Sequence, residues 1–284
     1  MTLHGRLPTA TTRFAAVVGD PVRHSLSPEL LNTAFQRLEL DWTFGAFEVA
    51  DGSVGDVIGA MRALPLWGLS VTMPHKAAVI PFLDGLSPVA ERLGAVNCVA
   101  WDSSRLVGHS TDGAGLIDAL RDEGFDPHGK RCVVLGAGGA ARAAIAALAL
   151  AGASEVIVVN RTGARAEAAC HLAAGRGRVG TAADTSGADL VVNATPMGMT
   201  LDATPTMPLD PELLAPGQVL FDMVYDPPLT PIVAAAIERG VHAVTGLGML
   251  VHQAAHAFTL WTGEVAPTTQ MAAAATTALG RRVA

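Results

Sequence analysis

Residues 131–162 read RCVVLGAGGAARAAIAALALAGASEVIVVNRT, and this stretch decides the fold class. It opens on a short apolar run, Cys132 to Leu135, of the length of a buried strand. A glycine turn follows, then an alanine-rich run too long for a strand, ended by Gly152. Val156 to Val159 form a second short apolar run. Strand, glycine turn, helix, strand is the unit from which parallel α/β sheets are built. Within the turn, Gly136, Gly138 and Ala141 stand in G-x-G-x-x-G/A spacing. The first glycine permits the tight turn, the second lets a pyrophosphate approach the backbone, and the small third residue lets helix and strand pack closely. The helix N-terminus then offers unpaired N–H groups and the positive end of its dipole to phosphate. The spacing alone is a weak signal; between a strand and a helix it predicts a dinucleotide site.

The end of the second strand selects the dinucleotide. A carboxylate there accepts from a ribose 2′-hydroxyl and repels a 2′-phosphate. Here the chain reads Asn160, Arg161, Thr162 and then Arg165. Guanidinium groups grip a phosphate with paired hydrogen bonds and stack on adenine. The residues therefore favour NADP over NAD, against the plainer alternative that Arg161 and Arg165 form one solvated helix edge.

Outward from this unit the alternation continues. Residues 188–195 (ADLVVNAT), 218–225 (QVLFDMVY) and 242–246 (HAVTG) read as strands, and 231–240 (PIVAAAIERG) as a helix, predicting a parallel sheet covered on both faces. Upstream, 14–19, 42–49 and 66–71 read as strands. Residues 27–38 read as a helix with Ser27 at its cap, and 54–64 as a second helix. Residues 95–101 and 105–109 read as a hairpin, 115–124 as a connecting helix, and 247–282 as helical with a break near TGEVAP. The expected fold is α/β with two α/β domains. A substrate and catalytic domain spans 1–112, with 246–284 returning to it, and a Rossmann-type NADP domain spans 113–245.

Composition bounds the rest. Of 284 residues, 50% are hydrophobic and 16% charged, enough apolar surface for two cores. A net charge of −7 without a basic run argues against nucleic acid. Cys98, Cys132 and Cys170 are scattered and form no CxxC pair, which suits a reducing, cytoplasmic setting. Residues 1–14 hold no apolar core of signal-peptide length. The apolar run Ala140–Val159 is broken by Arg142, Gly152 and Glu155, so no membrane span is expected. His252 and His256 stand four apart without the glutamate of H-E-x-x-H, and no metal is expected.

A nicotinamide cofactor implies hydride transfer, and the protein must then manage one proton. Lys76 follows the strand at 66–71 in GLSVTMPHKAA (68–78), and Asp112 lies in GHSTDGAG (108–115), read as another strand end. Ligands of α/β sheets sit at such ends. A lysine and a carboxylate there can exchange a proton and orient a hydroxyl.

The chain at this point resembles the shikimate dehydrogenase family. Nine stretches carry the resemblance in order through nearly the whole chain: GDPVRHSLSP, VTMPHK, GAVN, STDGAG, GAGGAAR, NRT, NATPMGM, DMVYDPPLTP and GLGMLVHQAAHAF. It implies reversible reduction of 3-dehydroshikimate to shikimate with NADPH, a step toward chorismate and the aromatic amino acids. It also implies Lys76 and Asp112 as the catalytic pair, with Asp112 touching substrate as well. Ser25 and Ser27, helped by Tyr225, would hold the substrate carboxylate. Thr72, Asn97 and Gln253 would bind ring hydroxyls. Gly136, Ala137, Gly138, Gly139 and Ala140 would cradle the pyrophosphate, and Asn160, Arg161, Thr162 and Arg165 would read the 2′-phosphate. Met223 and Gly246 would lie by the nicotinamide. The partner is thus a small-molecule substrate, and the protein a monomer or homodimer.

Three positions depart from the family pattern, which usually has asparagine at Ser70, asparagine at Ser110 and histidine at Leu31. They keep open a quinate/shikimate or amino-shikimate dehydrogenase using NAD(P); a non-catalytic NADP-binding sensor is the alternative from another class. Plainer roles also stand beside these: Ser25 and Ser27 as helix caps, Tyr225 as a core aromatic, Met249 and Leu250 as packing. His24 and His75, beside Ser25 and Lys76, are either substrate contacts or ordinary loop residues.

Overall fold

The structure, a computed structural model, describes residues 7–64, 66–199 and 207–283. Residues 1–6 of the N-terminal stretch read above for a leader lie outside the described residues. The chain divides into two compact units, Met1–Thr111 with Gln253–Ala284, and Asp112–His252.

The first unit runs β1 (Arg13–Gly19), α1 (Ser27–Arg37), β2 (Trp42–Glu48), α2 (Val54–Ala63), β3 (Leu66–Val71), β4 (Gly85–Leu86), α3 (Pro88–Leu93), β5 (Cys98–Asp102) and β6 (Arg105–His109). Its sheet has the order β2-β1-β3-β5-β6-β4. β1 is parallel to β2 and β3, while β5 runs antiparallel to both β3 and β6, making the expected hairpin. Alternate residues of the strands, among them Val18, Leu69, Val71 and Val99, meet Ile58 and Met61 of α2 in one buried cluster.

The second unit runs α4 (Asp112–Asp122), β7 (Arg131–Leu135), α5 (Gly139–Leu150), β8 (Glu155–Val159), α6 (Gly163–Cys170), β9 (Gly177–Val179), β10 (Leu190–Asn193), β11 (Val219–Asp222), α7 (Pro231–Glu238) and β12 (His242–Thr245). The sheet order is β12-β11-β10-β7-β8-β9, with every pairing parallel. This is a doubly wound sheet whose order reverses between β7 and β10, where dinucleotides bind in such folds. Val133, Leu135, Val191 and Leu220 join Ile232, Val233 and Ala236 of α7 in one core. Cys132, Val134, Val192 and Phe221, alternating with them, are buried as well, so both faces are covered.

The tail forms α8 (Leu247–Thr262) and α9 (Thr268–Val283), separated at the expected break. In the first unit, α8 presses the Trp261 ring onto β3 at Gly68, where a Cβ would come within 2.5 Å of the ring. The indole N–H donates to Val99 O at 3.0 Å. α9 packs on α1 and buries Met271 and Ala275.

Several expectations need correction. Ser27 is the first helical residue of α1, not its cap; the cap position is Leu26, which makes no side-chain cap bond and is fully buried. The core claims that position for packing. Asp112 is the first residue of α4, past the end of β6, and α4 begins three residues earlier than periodicity suggested. β11 stops at Asp222, leaving 223–225 as loop. The unforeseen α3 carried legible signals: Ser87 Oγ accepts from Ala90 N–H at its start, and Gly94 takes a left-handed φ of 60° at its end.

Candidate functional site

In the first unit the turn after β3 carries Thr72 and Lys76. It is tied down on several sides: Asp20 N–H donates to Met73 O (2.9 Å), Thr72 N–H to Val18 O (2.9 Å), and Val96 N–H to Lys76 O (2.8 Å). The end of β1 reaches this turn so closely that a Cβ on Gly19 would collide with the Thr72 side chain. Burial along the turn alternates so that His75 and Val79, four apart, face inward while Lys76 is half-buried. His75 is fully buried and its Nε2 stands 2.7 Å from Val49 O. It is therefore no surface contact for a substrate; the one-turn spacing to Val79 puts it on the core side.

Asn97, 5% exposed, closes the same end of the sheet. Its Oδ1 accepts from Thr111 N–H at 2.8 Å, and its Nδ2 donates to Thr111 Oγ1 at 2.9 Å and to Gln253 Oε1 at 3.4 Å. Asn97 and Gln253 are thus brought together from positions 156 apart in sequence. Thr111, buried and gripped at backbone and hydroxyl, was missed in the sequence, where one threonine in a polar loop carries no signal. The grip fixes the chain at the residue immediately before Asp112, which is 8% exposed. Ser25 Oγ accepts from Ser27 N–H at 3.2 Å, so the two serines sit together at the start of α1. His24 is exposed.

In the second unit the glycine turn divides by cause. Gly136 has φ +112°, and a Cβ there would lie 3.1 Å from Ala194 O, so the protein's own backbone requires glycine. At Gly138 and Gly139 a Cβ would meet nothing within 4 Å. Their bareness has no explanation within the chain; it leaves backbone N–H groups open at the first turn of α5, with Ala137 and Ala140 beside them. Ala141, fully buried, is the packing residue. These features fit a pyrophosphate.

Past β8, Asn160 Nδ2 donates to Thr162 O at 3.0 Å and shapes the turn. Arg161 and Arg165 are exposed, and neither is paired with a carboxylate among the described residues. The other arginines of this sheet are committed: Arg178 binds Glu155 and Asp184 at 2.6 Å each. Two exposed guanidinium groups, one in the turn after the strand and one in the first turn of α6, fit a 2′-phosphate.

At the ends of β10 and β11 the buried Asp222 carboxylate accepts from Asn193 Nδ2 (2.9 Å), Val224 N–H (3.1 Å) and Thr230 Oγ1 (2.6 Å). Burial pushes its pKa up, and these three donors oppose the rise. The network fixes the loop holding Met223 and Tyr225, both half-buried. Gly246 meets that loop: a Cβ there would collide with Met223 O. Met223 and Gly246 are therefore neighbours. His252 is 2.7 Å from Asp122, and among the described residues no three potential ligands gather as a metal site. Met249 is buried packing. Among the described residues, no helix is long and apolar enough to cross a membrane.

Three family models match the chain: "Shikimate dehydrogenase substrate binding domain" over 17–99, "Shikimate / quinate 5-dehydrogenase" over 119–195, and "Shikimate 5'-dehydrogenase C-terminal domain" over 246–276. The NADP(+) shikimate dehydrogenase of Moorella thermoacetica is 44% identical over 92% of this chain and 92% of its own. A shikimate dehydrogenase solved in complex with NADP+ superposes with a TM-score of 0.93 at 32% identity, covering 98% of this chain and 99% of that one. Shikimate 5-dehydrogenase from Thermus thermophilus, solved with NADP(H) and shikimate, gives a TM-score of 0.88 at 37% identity, covering 94% and 100%.

Proposed function

Because the chain belongs to the shikimate dehydrogenase family, we propose that it catalyses the reversible, NADP-dependent interconversion of 3-dehydroshikimate and shikimate. NADPH, when bound, supplies the hydride for the ring ketone. The chain's residues do the remaining work. Lys76 gives the proton that the new alkoxide requires, and takes it back when shikimate is oxidised. Asp112 holds the reacting hydroxyl. Asn97, Gln253 and Thr72 bind the ring hydroxyls. Asn97 is well suited because Thr111 fixes the orientation of its carboxamide. Ser25 and Ser27, with Tyr225, take the carboxylate. In the second unit, Gly136 to Ala140 hold the pyrophosphate, Asn160, Arg161, Thr162 and Arg165 the 2′-phosphate, and Met223 and Gly246 the nicotinamide. The unit Met1–Thr111 with Gln253–Ala284 serves the substrate and Asp112–His252 the nucleotide.

The observation that carries the cofactor assignment is the pair of bare glycines, Gly138 and Gly139, after β7, with the carboxylate-free Arg161 and Arg165 after the neighbouring strand β8. A reducing cytoplasm is the setting that suits NADPH and the unpaired cysteines. Purified protein with shikimate and NADP+ is expected to generate NADPH absorbance. Turnover of quinate but not shikimate moves the substrate assignment, and nucleotide binding without turnover of any ring acid makes the protein a sensor.

A further inference from the structure

His75 precedes the lysine, yet it is the least exposed polar residue of its turn, with 0% of its surface open. Its ring donates from Nε2 to Val49 O at 2.7 Å, which makes it the Nε2–H tautomer. Nδ1 is buried and has no hydrogen-bond partner. A merely apolar anchor would pack at this position without an orphaned nitrogen, so the core tolerates a cost in order to keep one directed bond. The acceptor is itself held in place: Val49 N–H donates to Gly19 O at 3.1 Å, tying it to the end of β1. The ring thus fastens the turn to the ends of β1 and β2, while the next residue's carbonyl is fastened on the other side by Val96 N–H at 2.8 Å. An apolar anchor such as Val79 fixes depth and leaves the turn some freedom to rotate. A hydrogen bond is directional and fixes the rotation as well, and rotation of this turn sets where the Lys76 side chain points.

We propose that His75 is a positioning residue for Lys76, acting through the Nε2–H···O=C bond to Val49 and never touching substrate. The inference rests on the proton-transfer role given to Lys76 above.

The test is a set of variants assayed with shikimate and NADP+. His75→Leu keeps volume and removes the donor; His75→Gln places an amide N–H where Nε2 stands; His75→Asn has the same amide on a stem too short to reach Val49. His75→Leu and His75→Asn are expected to lower kcat about 10- to 100-fold, the cost of a misplaced catalytic group, with KM for NADP+ unchanged. His75→Gln is expected to restore most of it. In the Lys76→Ala background, His75→Leu is expected to cost nothing further, since the group it positions is gone. If the Leu variant does not fold, as judged by circular dichroism, the Asn and Gln pair carries the comparison. Wild-type kcat in His75→Leu or His75→Asn, failure of His75→Gln to rescue, or an undiminished loss in the Lys76→Ala background each overturns the proposal. Wild-type kcat in Lys76→Ala itself fells the role of Lys76, and this inference with it; that arm separates the two failures.

Discussion

Lys76 and the arginines past β8 are single residues whose chemistry rests on what surrounds them. Lys76 is presented by a turn whose backbone is bonded to the end of β1 and to Val96, so its removal should leave the scaffold intact. Lys76→Ala is expected to lower kcat by about 10²- to 10⁴-fold, with the Kd for NADP+ unchanged; titration of the variant with NADP+ checks the second half. Arg161 and Arg165 are exposed and take part in no ion pair among the described residues, so replacing them frees no buried partner. The double change to alanine is expected to raise KM for NADP+ by roughly 10- to 100-fold, the loss of charge-assisted phosphate bonds, while KM for NAD+ stays nearly constant. Equal effects on both nucleotides would remove these arginines from the 2′-phosphate. The exposure of these arginines could be expected from the sequence because they follow a strand. His75 was not, since a histidine beside a lysine in a loop looks the same whether it faces water or the core.

At the scale of elements, the turn between β7 and α5 and the ion-pair cluster at the opposite strand ends behave differently. Gly138 has open space around its missing side chain. Gly138→Val is therefore expected to fold with a nearly wild-type Tm and to lose NADP+ binding, measured by the Tm rise on adding NADP+. In the wild type that rise corresponds to about 2.7 kcal/mol at 100 times Kd. A normal rise in the variant would place the pyrophosphate elsewhere. Across the starts of β7 and β8 and along β9, Arg131 and Arg178 share Glu155 and Asp184. Arg131 Nε stands 2.9 Å from Glu155 yet lacks hydrogen-bond geometry, so that contact is ionic. The side-chain bond from Arg178, followed by the Thr181 backbone N–H, lowers the Asp184 pKa from 3.8 to about 2. A lowered carboxylate pKa adds stability above the unfolded value and loses it as pH falls through the folded one. Tm is thus expected to drop between roughly pH 4 and 2, and Asp184→Asn to flatten that drop while costing about 2–4 °C at pH 7, since the pairs are partly exposed and water screens them.

For the whole molecule, the decisive feature is that the chain leaves its first unit at Thr111 and comes back at Gln253. The first unit is not complete without its last helices. α9 buries Met271 and Ala275 against α1, and Trp261 of α8 covers Gly68. A chain ending after Gly263 is expected to expose that face of α1 and lose the cooperative unfolding of the first unit. Nucleotide binding by the second unit should survive, because its sheet is built from Arg131–Thr245. Intact cooperative melting of the truncated chain would show that α9 contributes little.

The sequence by itself determined the α/β class, the strand–glycine turn–helix that opens the second sheet, NADP as the cofactor and the hairpin of the first sheet. All of these are written in local periodicity, in glycines and in charge at a strand end, which short-range sterics and electrostatics make visible within some 30 residues. Only the tertiary structure decided that Asn97 meets Thr111 and Gln253, that Leu26 rather than Ser27 takes the cap position, and that His75 turns inward onto Val49. These depend on segments far apart in the chain closing on one another. No local pattern encodes such contacts, because their free energy is gained only when the distant partner has already been packed into place.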